Sequence, residues 1–486
     1  MKTRMRFAKE KIMNKDGINH IKLDIIPPKA QEVRENERKK TAIVFLIDAS
    51  SSMMESVILN NVETNIIYNN PFSAQSLYYR PNTYTTPEGY TYINTPQIGS
   101  SIHSLTHYPS SSAGESTRSK LYERITKIDY AIDATCNFLK MLSPGDMVGV
   151  ISFNYGPWIE QALTEYKEEK LNTIAGNIRK ITPRGMTNIS DSILLAKKMF
   201  SDEIRREYNC KIILLSDGEA NQGVATDVDG LGSIALDCMK SGVTVSSLGI
   251  GLEYNSATMN AIATCGGGLF YHIEDLSGLE DIFRSELKLS KTITAKNVTV
   301  TLEIPNPIEI GENMNGYPQN IRDGNIEVLL GDMNNDRSII FEIRNNFVDD
   351  DIEFTMKVSY TSLTGKEKEV TRSAILKVAK TKEDLESATE DEEIVKEIFN
   401  LLKYNAIARS YEAYERGDVN AATHSVCSTL SYGESLSRGY SSGILASMDM
   451  IAELNDLQSS YTTGTISTSQ AKDLYNKSVN AKRNNA

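Results

Sequence analysis

Asp48-Ala49-Ser50-Ser51-Ser52 follows directly on the apolar run Thr41-Ala42-Ile43-Val44-Phe45-Leu46-Ile47. One carboxylate and two hydroxyls, each two residues apart, leave the tip of a buried strand together. All are hard oxygen donors, which suit a small divalent cation, Mg²⁺ first with Mn²⁺ or Ca²⁺ as alternatives, and suit nothing soft. Two more oxygens stand where other elements end. Arg184-Gly185-Met186-Thr187-Asn188 places a hydroxyl in a Gly-containing turn, and Leu215-Ser216-Asp217-Gly218 places an Asp where another buried run stops. Asp48, Ser50, Ser52, Thr187 and Asp217 are the candidate metal ligands. No base, nucleophile or phosphate clamp stands beside them, so no residue is assigned a catalytic role and a metal-dependent hydrolase is the least favoured class.

The elements that must position these oxygens read as a fold of the α/β class. Between residues 41 and 288, short continuous apolar runs (42–47, 147–153, 211–216, 243–250 and 269–273) alternate with stretches of helical spacing (120–142, 171–180, 190–200, 232–240 and 256–263). That alternation predicts a doubly wound, mostly parallel, Rossmann-like sheet covered on both faces. Ligands of such sheets gather beyond the carboxyl ends of the strands, where the three oxygen-bearing loops can meet.

Flanking segments follow other periods. Residues 7–13 and 18–26 around Asn14-Lys15-Asp16-Gly17 predict a β-hairpin, followed by a charged connector to residue 40. Alternating runs at 297–304, 326–330, 337–343, 352–360 and 371–378 predict an antiparallel β domain, which the hairpin is expected to complete. Helical patterns at 394–415, 419–432, 444–456 and 467–481 predict a C-terminal helical region. The expected division is 1–40, 41–290, 291–380 and 381–486.

Residues 55–119 interrupt the βα pattern. They are rich in Asn, Ser, Thr and Pro and carry Tyr78, Tyr79, Tyr84, Tyr90 and Tyr92. An insertion leaving immediately after the first metal loop should emerge on the ligand face. Tyrosine offers large contact area at low rotamer cost, so these five are the candidate partner-binding residues.

The 486-residue chain has a net charge of −12, a pI near 5.2 and a mean hydropathy of −0.33. An acidic balance argues against nonspecific nucleic-acid binding, which needs a clustered positive field. No stretch approaches the roughly 20 apolar residues of a membrane span, and no secretory signal opens the chain, so a cytoplasmic protein with a protein partner is expected. Cys136, Cys210, Cys238, Cys265 and Cys427 lie far apart without CxxC pairs, as reduced thiols do.

Asp48-x-Ser50-x-Ser52, Thr187 and Asp217-Gly218 together resemble the metal-ion-dependent adhesion site of von Willebrand factor type A (vWA) domains. The stretch Pro144–Phe153 and the runs 243–251 and 265–271 resemble strands of the same domains. The resemblance covers about residues 41–288. More weakly, Leu330-Gly331-Asp332-Met333 and Glu415-Arg416-Gly417-Asp418 are similar to bacterial calcium-activated chloride channel-like vWA proteins and to inter-alpha-trypsin inhibitor heavy chains. The resemblance implies that Asp48, Ser50, Ser52 and Thr187 lie close to the metal and that Asp217 acts mainly through water. It also implies that an exposed Asp or Glu of a partner protein completes the coordination. By family analogy the chain is a bacterial adhesion or scaffold protein. Alternatives are a scaffold beside a MoxR-type AAA+ ATPase and an extracellular adhesin. Two positions depart from the pattern: Ser51 and Met186 stand where Gly is usual, and neither removes a ligand atom.

Three weaker signals take bland readings. His103 and His107 lack the glutamate of a zinc-protease motif, Gly266-Gly267-Gly268 precedes a strand and reads as a tight turn, and Arg416-Gly417-Asp418 reads as the end of one helix and the cap of the next.

Overall fold

The computed structural model describes residues 1–29, 39–57, 82–85, 91–94, 125–274 and 276–483. They fall into two compact units, one made of Met1–Glu55 with Thr126–Ala486, the other of Ser56–Ile125.

In the larger unit, the chain opens with β1 (Lys2–Phe7), β2 (Lys11–Met13) and β3 (Gly17–Ile26), then enters β4 (Lys40–Asp48). Beyond Lys40 every residue of β4 is buried, which explains its unbroken apolar run: a central parallel strand has no solvent face. The smaller unit contains β5 (Ser56–Val57), β6 (Asn82–Thr85) and β7 (Thr91–Asn94), with β6 and β7 paired antiparallel and Tyr84 opposite Tyr92. Tyr78, Tyr79 and Tyr90, like His103 and His107, lie outside the described residues.

After β8 (Ile125–Thr126) comes α1 (Lys127–Phe138). It begins seven residues later than its spacing suggests, because Thr126 caps it in a reciprocal box with Asp129. Then follow β9 (Met147–Phe153), β10 (Pro157–Glu165), α2 (Leu171–Ile178), α3 (Ile189–Met199), α4 (Asp202–Glu207), β11 (Tyr208–Ser216), α5 (Val228–Lys240), β12 (Val243–Ile250), α6 (Ser256–Cys265), β13 (Gly267–Ile273) and α7 (Leu279–Lys291). The sheet order is β10-β9-β4-β11-β12-β13, parallel except for β10. The antiparallel edge strand β10 and the short helix α4 were not foreseen. Both bury little, so neither prints an apolar pattern.

Side chains of β4 alternate between the two helical layers. Ala42, Val44 and Leu46 join a core with Ile193 of α3, Leu231 and Ala235 of α5, and Met259 and Ile262 of α6. Phe45 points the other way, 5.0 Å edge-on to both Phe138 of α1 and Phe283 of α7. Each such buried ring is worth roughly 1.5–3 kcal/mol of transfer free energy.

The second layer is a sandwich built from β14 (Ala295–Glu303), β15 (Glu309–Ile310), β16 (Gln319–Arg322), β17 (Asn325–Met333), β18 (Arg337–Asn345), β19 (Ile352–Thr361) and β20 (Glu367–Ala379). One sheet runs β1-β3-β18-β15 and the other β16-β17-β14-β19-β20-β2. The expected hairpin is corrected here, since residues 7–13 are not one strand. β1 pairs with β3, while β2 crosses to the other sheet and runs parallel to β20. The break at Ala8–Glu10 is held by backbone bonds to His20, Thr389 and Asp391.

The chain ends in α8 (Lys382–Glu386), α9 (Glu392–Glu415), α10 (Val419–Ser437), α11 (Gly443–Thr463) and α12 (Thr468–Ala481). Arg416-Gly417-Asp418 is a helix junction: Gly417 has φ of 80°, and Asp418 caps α10. Tyr411 of α9 and Tyr475 of α12 join the core beside β13. Among the described residues, no helix is long and apolar enough to cross a membrane.

The hairpin and the helices meet at a buried polar joint. Lys9 pairs with Glu390 at 3.1 Å, and the His20 Nδ1 lies 2.9 Å from the Tyr440 hydroxyl. Burial pushes the His20 imidazole down to about 4 from 6.5, against the opposing pull of Glu342. Its neutral form is therefore the folded form. The unfolded chain takes up a proton below about 6.5, so the His20 contribution is intact above that pH and lost as pH falls through 4. A shift of this size corresponds to about 3 kcal/mol. Urea unfolding between pH 7 and 4 is expected to show a steeper loss of stability in the wild type than in His20→Gln; parallel curves would contradict this.

Candidate metal centre

The carboxyl edge of the parallel sheet brings the loops after β4 and β11 side by side, because Ile47 lies opposite Leu215 in a parallel register. Asp48 is fully buried at that edge. Its Oδ1 accepts from the Ser50 amide at 2.8 Å and its Oδ2 from the Ser216 hydroxyl at 2.5 Å. The Ser50 and Ser52 hydroxyls lie 2.9 Å apart, and Ser52 donates to Asp217 Oδ1 at 2.8 Å. Four of the five candidate ligands thus form one hydrogen-bonded chain. Burial pushes the Asp48 carboxyl up to about 7, opposed by the Ser216 and Ser50 bonds.

Thr187 enters from a third loop. Its amide donates to Asn221 Oδ1 at 2.8 Å, and Asn221 returns its own amide to the Thr187 carbonyl at 3.1 Å. Gly218 reports the convergence: a β-carbon there would lie 3.3 Å from Thr187 Oγ1 and 3.7 Å from Ser52 Oγ. Both hydroxyls therefore face the same small space. Gly218→Val is expected to weaken Mg²⁺ binding at least tenfold in calorimetric titration with the circular dichroism spectrum unchanged; undiminished affinity would show that this space is not the metal's.

Of the two positions that depart from the vWA pattern, Ser51 acquires a structural role. Ser51 Oγ accepts from the Gly185 amide at 3.0 Å, and the Gly185 carbonyl accepts from the Ser51 amide at 3.3 Å. With Arg184 N bonded to the Ala49 carbonyl at 2.7 Å, the loops carrying Asp48 and Thr187 are cross-tied. A serine here adds a strap that glycine could not. Gly185 itself has φ of 82° and lies against Tyr155, where a β-carbon would come within 2.2 Å of the ring. Met186 is exposed and directly precedes the candidate ligand Thr187.

Sequence reasoning missed Lys127. Its ammonium lies 2.9 Å from Asp217 Oδ2 and 2.5 Å from Glu55 Oε2. Burial works against this charge, but the bonds to Glu55 and Asp217 outweigh it and hold its pKa above the ordinary lysine value. Separated from Ser52 by the whole insertion, Lys127 gives no local signal of belonging to the site. Ser216 and Asn221 were also missed, though Ser216 sits beside Asp217 in the same strand end. Among the described residues, no group of three or more His, Cys, Asp and Glu side chains is placed to hold a metal; the donor set is two carboxylates and three hydroxyls.

An open parallel sheet with oxygen-bearing side chains gathered beyond its central strand ends is the arrangement that the comparisons with known proteins bear on. Residues 121–285, about a third of the chain, match the von Willebrand factor type A domain family. The Asp48 loop lies upstream of that match, on the other side of the insertion. Over 136 residues the chain is 30% identical to the uncharacterized protein YfbK of Escherichia coli K12, covering 28% of this chain and 23% of that one. Over 150 residues it is 29% identical to inter alpha-trypsin inhibitor heavy chain 4 of Mus musculus, covering 29% and 16% respectively. The matched stretches thus span under a quarter of either relative. Among solved structures, the von Willebrand factor type A protein from Catenulispora acidiphila superposes with a TM-score of 0.64 at 13% identity, over 98% of this chain and 96% of that one. The ArnB paralog VWA2 from Sulfolobus acidocaldarius gives 0.53 at 15% identity, over 99% and 98%. The likeness in fold therefore extends through the sandwich and the C-terminal helices.

Proposed function

We propose that the chain is a divalent-metal-dependent protein-binding module, not an enzyme, in which an exposed Asp or Glu of a partner protein completes the coordination of Mg²⁺ held by Asp48, Ser50, Ser52, Thr187 and Asp217. The observation that carries this reading is the convergence of hard oxygens from three loops beside Gly218, with four of the five residues linked by hydrogen bonds. That donor set fits a small hard cation. Bound there, the cation would supply a concentrated positive charge for a carboxylate in a partly desolvated setting, where charge-assisted contacts are roughly twice as strong as neutral ones.

The residues of the chain do the remaining work. Asn221 and the Ser51 strap hold the loops, so little conformational entropy is lost when the site fills. Tyr84 and Tyr92, paired across β6 and β7, are proposed to contribute to the choice of partner. Immobilised protein is expected to capture its partner from lysate in Mg²⁺ and to release it in EDTA. Capture that persists undiminished in EDTA would overturn the proposal.

A further inference from the structure

At the joint between the parallel sheet and the sandwich lies a cavity of about 290 Å³, bordered by the start of β13, by α7 and by β17. Two guanidinium groups line it, Arg337 at the start of β18 and Arg483 just beyond α12. Arg483 is only 6% exposed, and its donors go to neutral oxygens: Gly268 O at 3.1 Å, Asn480 Oδ1 at 3.4 Å and Val479 O at 3.5 Å. Arg337 donates to the carbonyls of Leu330 at 2.5 Å and Asp332 at 3.3 Å, while its buried Nε has no partner among the described residues. The groups bearing most on Arg483 are Tyr317, Arg337, Cys265 and Tyr475, none of them a carboxylate.

A buried Arg483 and a half-buried Arg337 that feel each other, with no carboxylate bonded to either among the described residues, are costly, since a buried charge is ordinarily paired. The third cation on the wall, Lys211, already has its partner in Glu286. The cavity also carries an acceptor to spare. Asp332 Oδ1 takes the Asn297 amide at 3.0 Å, but its buried Oδ2 has no partner among the described residues. The wall thus includes an unmet donor, Arg337 Nε, and an unmet acceptor, Asp332 Oδ2.

We propose that this cavity binds a small oxyanion, a carboxylate or phosphate group held by Arg337 and Arg483, whose own hydroxyl or ammonium donates to Asp332. Guanidinium forks match the planar and tetrahedral oxygens of these anions. The volume falls at the lower end of ligand pockets, which favour the joints between structural layers. Arg337 belongs to the sandwich, and Arg483 is bonded to β13 of the parallel sheet through Gly268. An occupant would tie the two layers together, and its binding would register as added stability.

Thermal unfolding of the full chain with inorganic phosphate, malate or phosphoserine at low millimolar concentration, against sodium chloride of equal ionic strength, tests the proposal. A saturable rise in Tm is expected with at least one of the three, and which one identifies the headgroup and whether its second donor matters. Arg337→Gln should weaken that response at least tenfold, with the circular dichroism spectrum and the Mg²⁺ response retained. Ser285→Glu changes an exposed residue at the cavity and touches neither arginine. It should weaken the response as well, and serves if Arg337→Gln fails to fold. The proposal is overturned by a Tm that follows chloride for all three anions, or by a response that both variants leave intact.

Discussion

Asp48→Asn is expected to lower Mg²⁺ affinity by more than a hundredfold and to abolish metal-dependent capture of a partner, while the protein unfolds at nearly the wild-type temperature. Asp48 takes the Ser50 amide on one oxygen and the Ser216 hydroxyl on the other; asparagine keeps an oxygen for the amide and turns its NH2 to the hydroxyl, which can rotate to accept. What it removes is one of the two carboxylates in the donor set. Alanine is a poorer test. It would leave the buried Ser50 amide without its acceptor, at about 1–3 kcal/mol, and so confound lost binding with lost stability. Calorimetric titration with Mg²⁺ together with thermal unfolding separates the two effects. Wild-type affinity in Asp48→Asn would remove Asp48 from the site.

Lys127→Gln is expected to do the opposite, raising Mg²⁺ affinity at least tenfold while lowering the stability of the metal-free protein. Asp217 is fully buried, and Lys127 is its ion-pair partner. Removing one member of a buried pair typically costs 3–5 kcal/mol, because the other charge is left uncompensated. The same ammonium opposes any divalent cation that approaches Asp217. At an effective dielectric near 20, charges this close repel by a few kcal/mol. The Tm of Lys127→Gln without metal should therefore fall, and its rise on adding Mg²⁺ should exceed that of the wild type. Weaker Mg²⁺ binding in the variant would mean that Lys127 serves to aim Asp217 and not to compete with the metal.

Much of the parallel sheet was legible in the sequence because its strands are buried on both faces. The runs at β4, β9, β11 and β12 are continuous for that reason, and their ends mark the loops where ligands gather. What escaped notice buries little or pairs in an unexpected way. β10 has one buried residue in nine, and α4 has none. β2 left its hairpin for a parallel pairing with β20, a choice made by backbone partners more than three hundred residues away.

The candidate site divides along the same line. Asp48, Ser50, Ser52, Thr187 and Asp217 could be named from local pattern, since each sits where an apolar run or a glycine turn marks the end of an element. Ser50 and Ser52 share a loop, so their proximity follows from two-residue spacing alone. Contact between Ser52 and Asp217, the Ser51 strap to Gly185 and the hold of Asn221 on Thr187 depend on strand register. Lys127 is the clearest case. Its charge was visible from the start, but only the return of the chain to α1 places that charge on Asp217, and a charge acts through distance in space, which spacing along the chain does not measure. The sequence by itself determined which oxygens are candidates to meet a cation. The tertiary structure decided that a lysine holds one of them, because burial leaves Asp217 in need of a counter-charge and Lys127 is its ion-pair partner among the described residues.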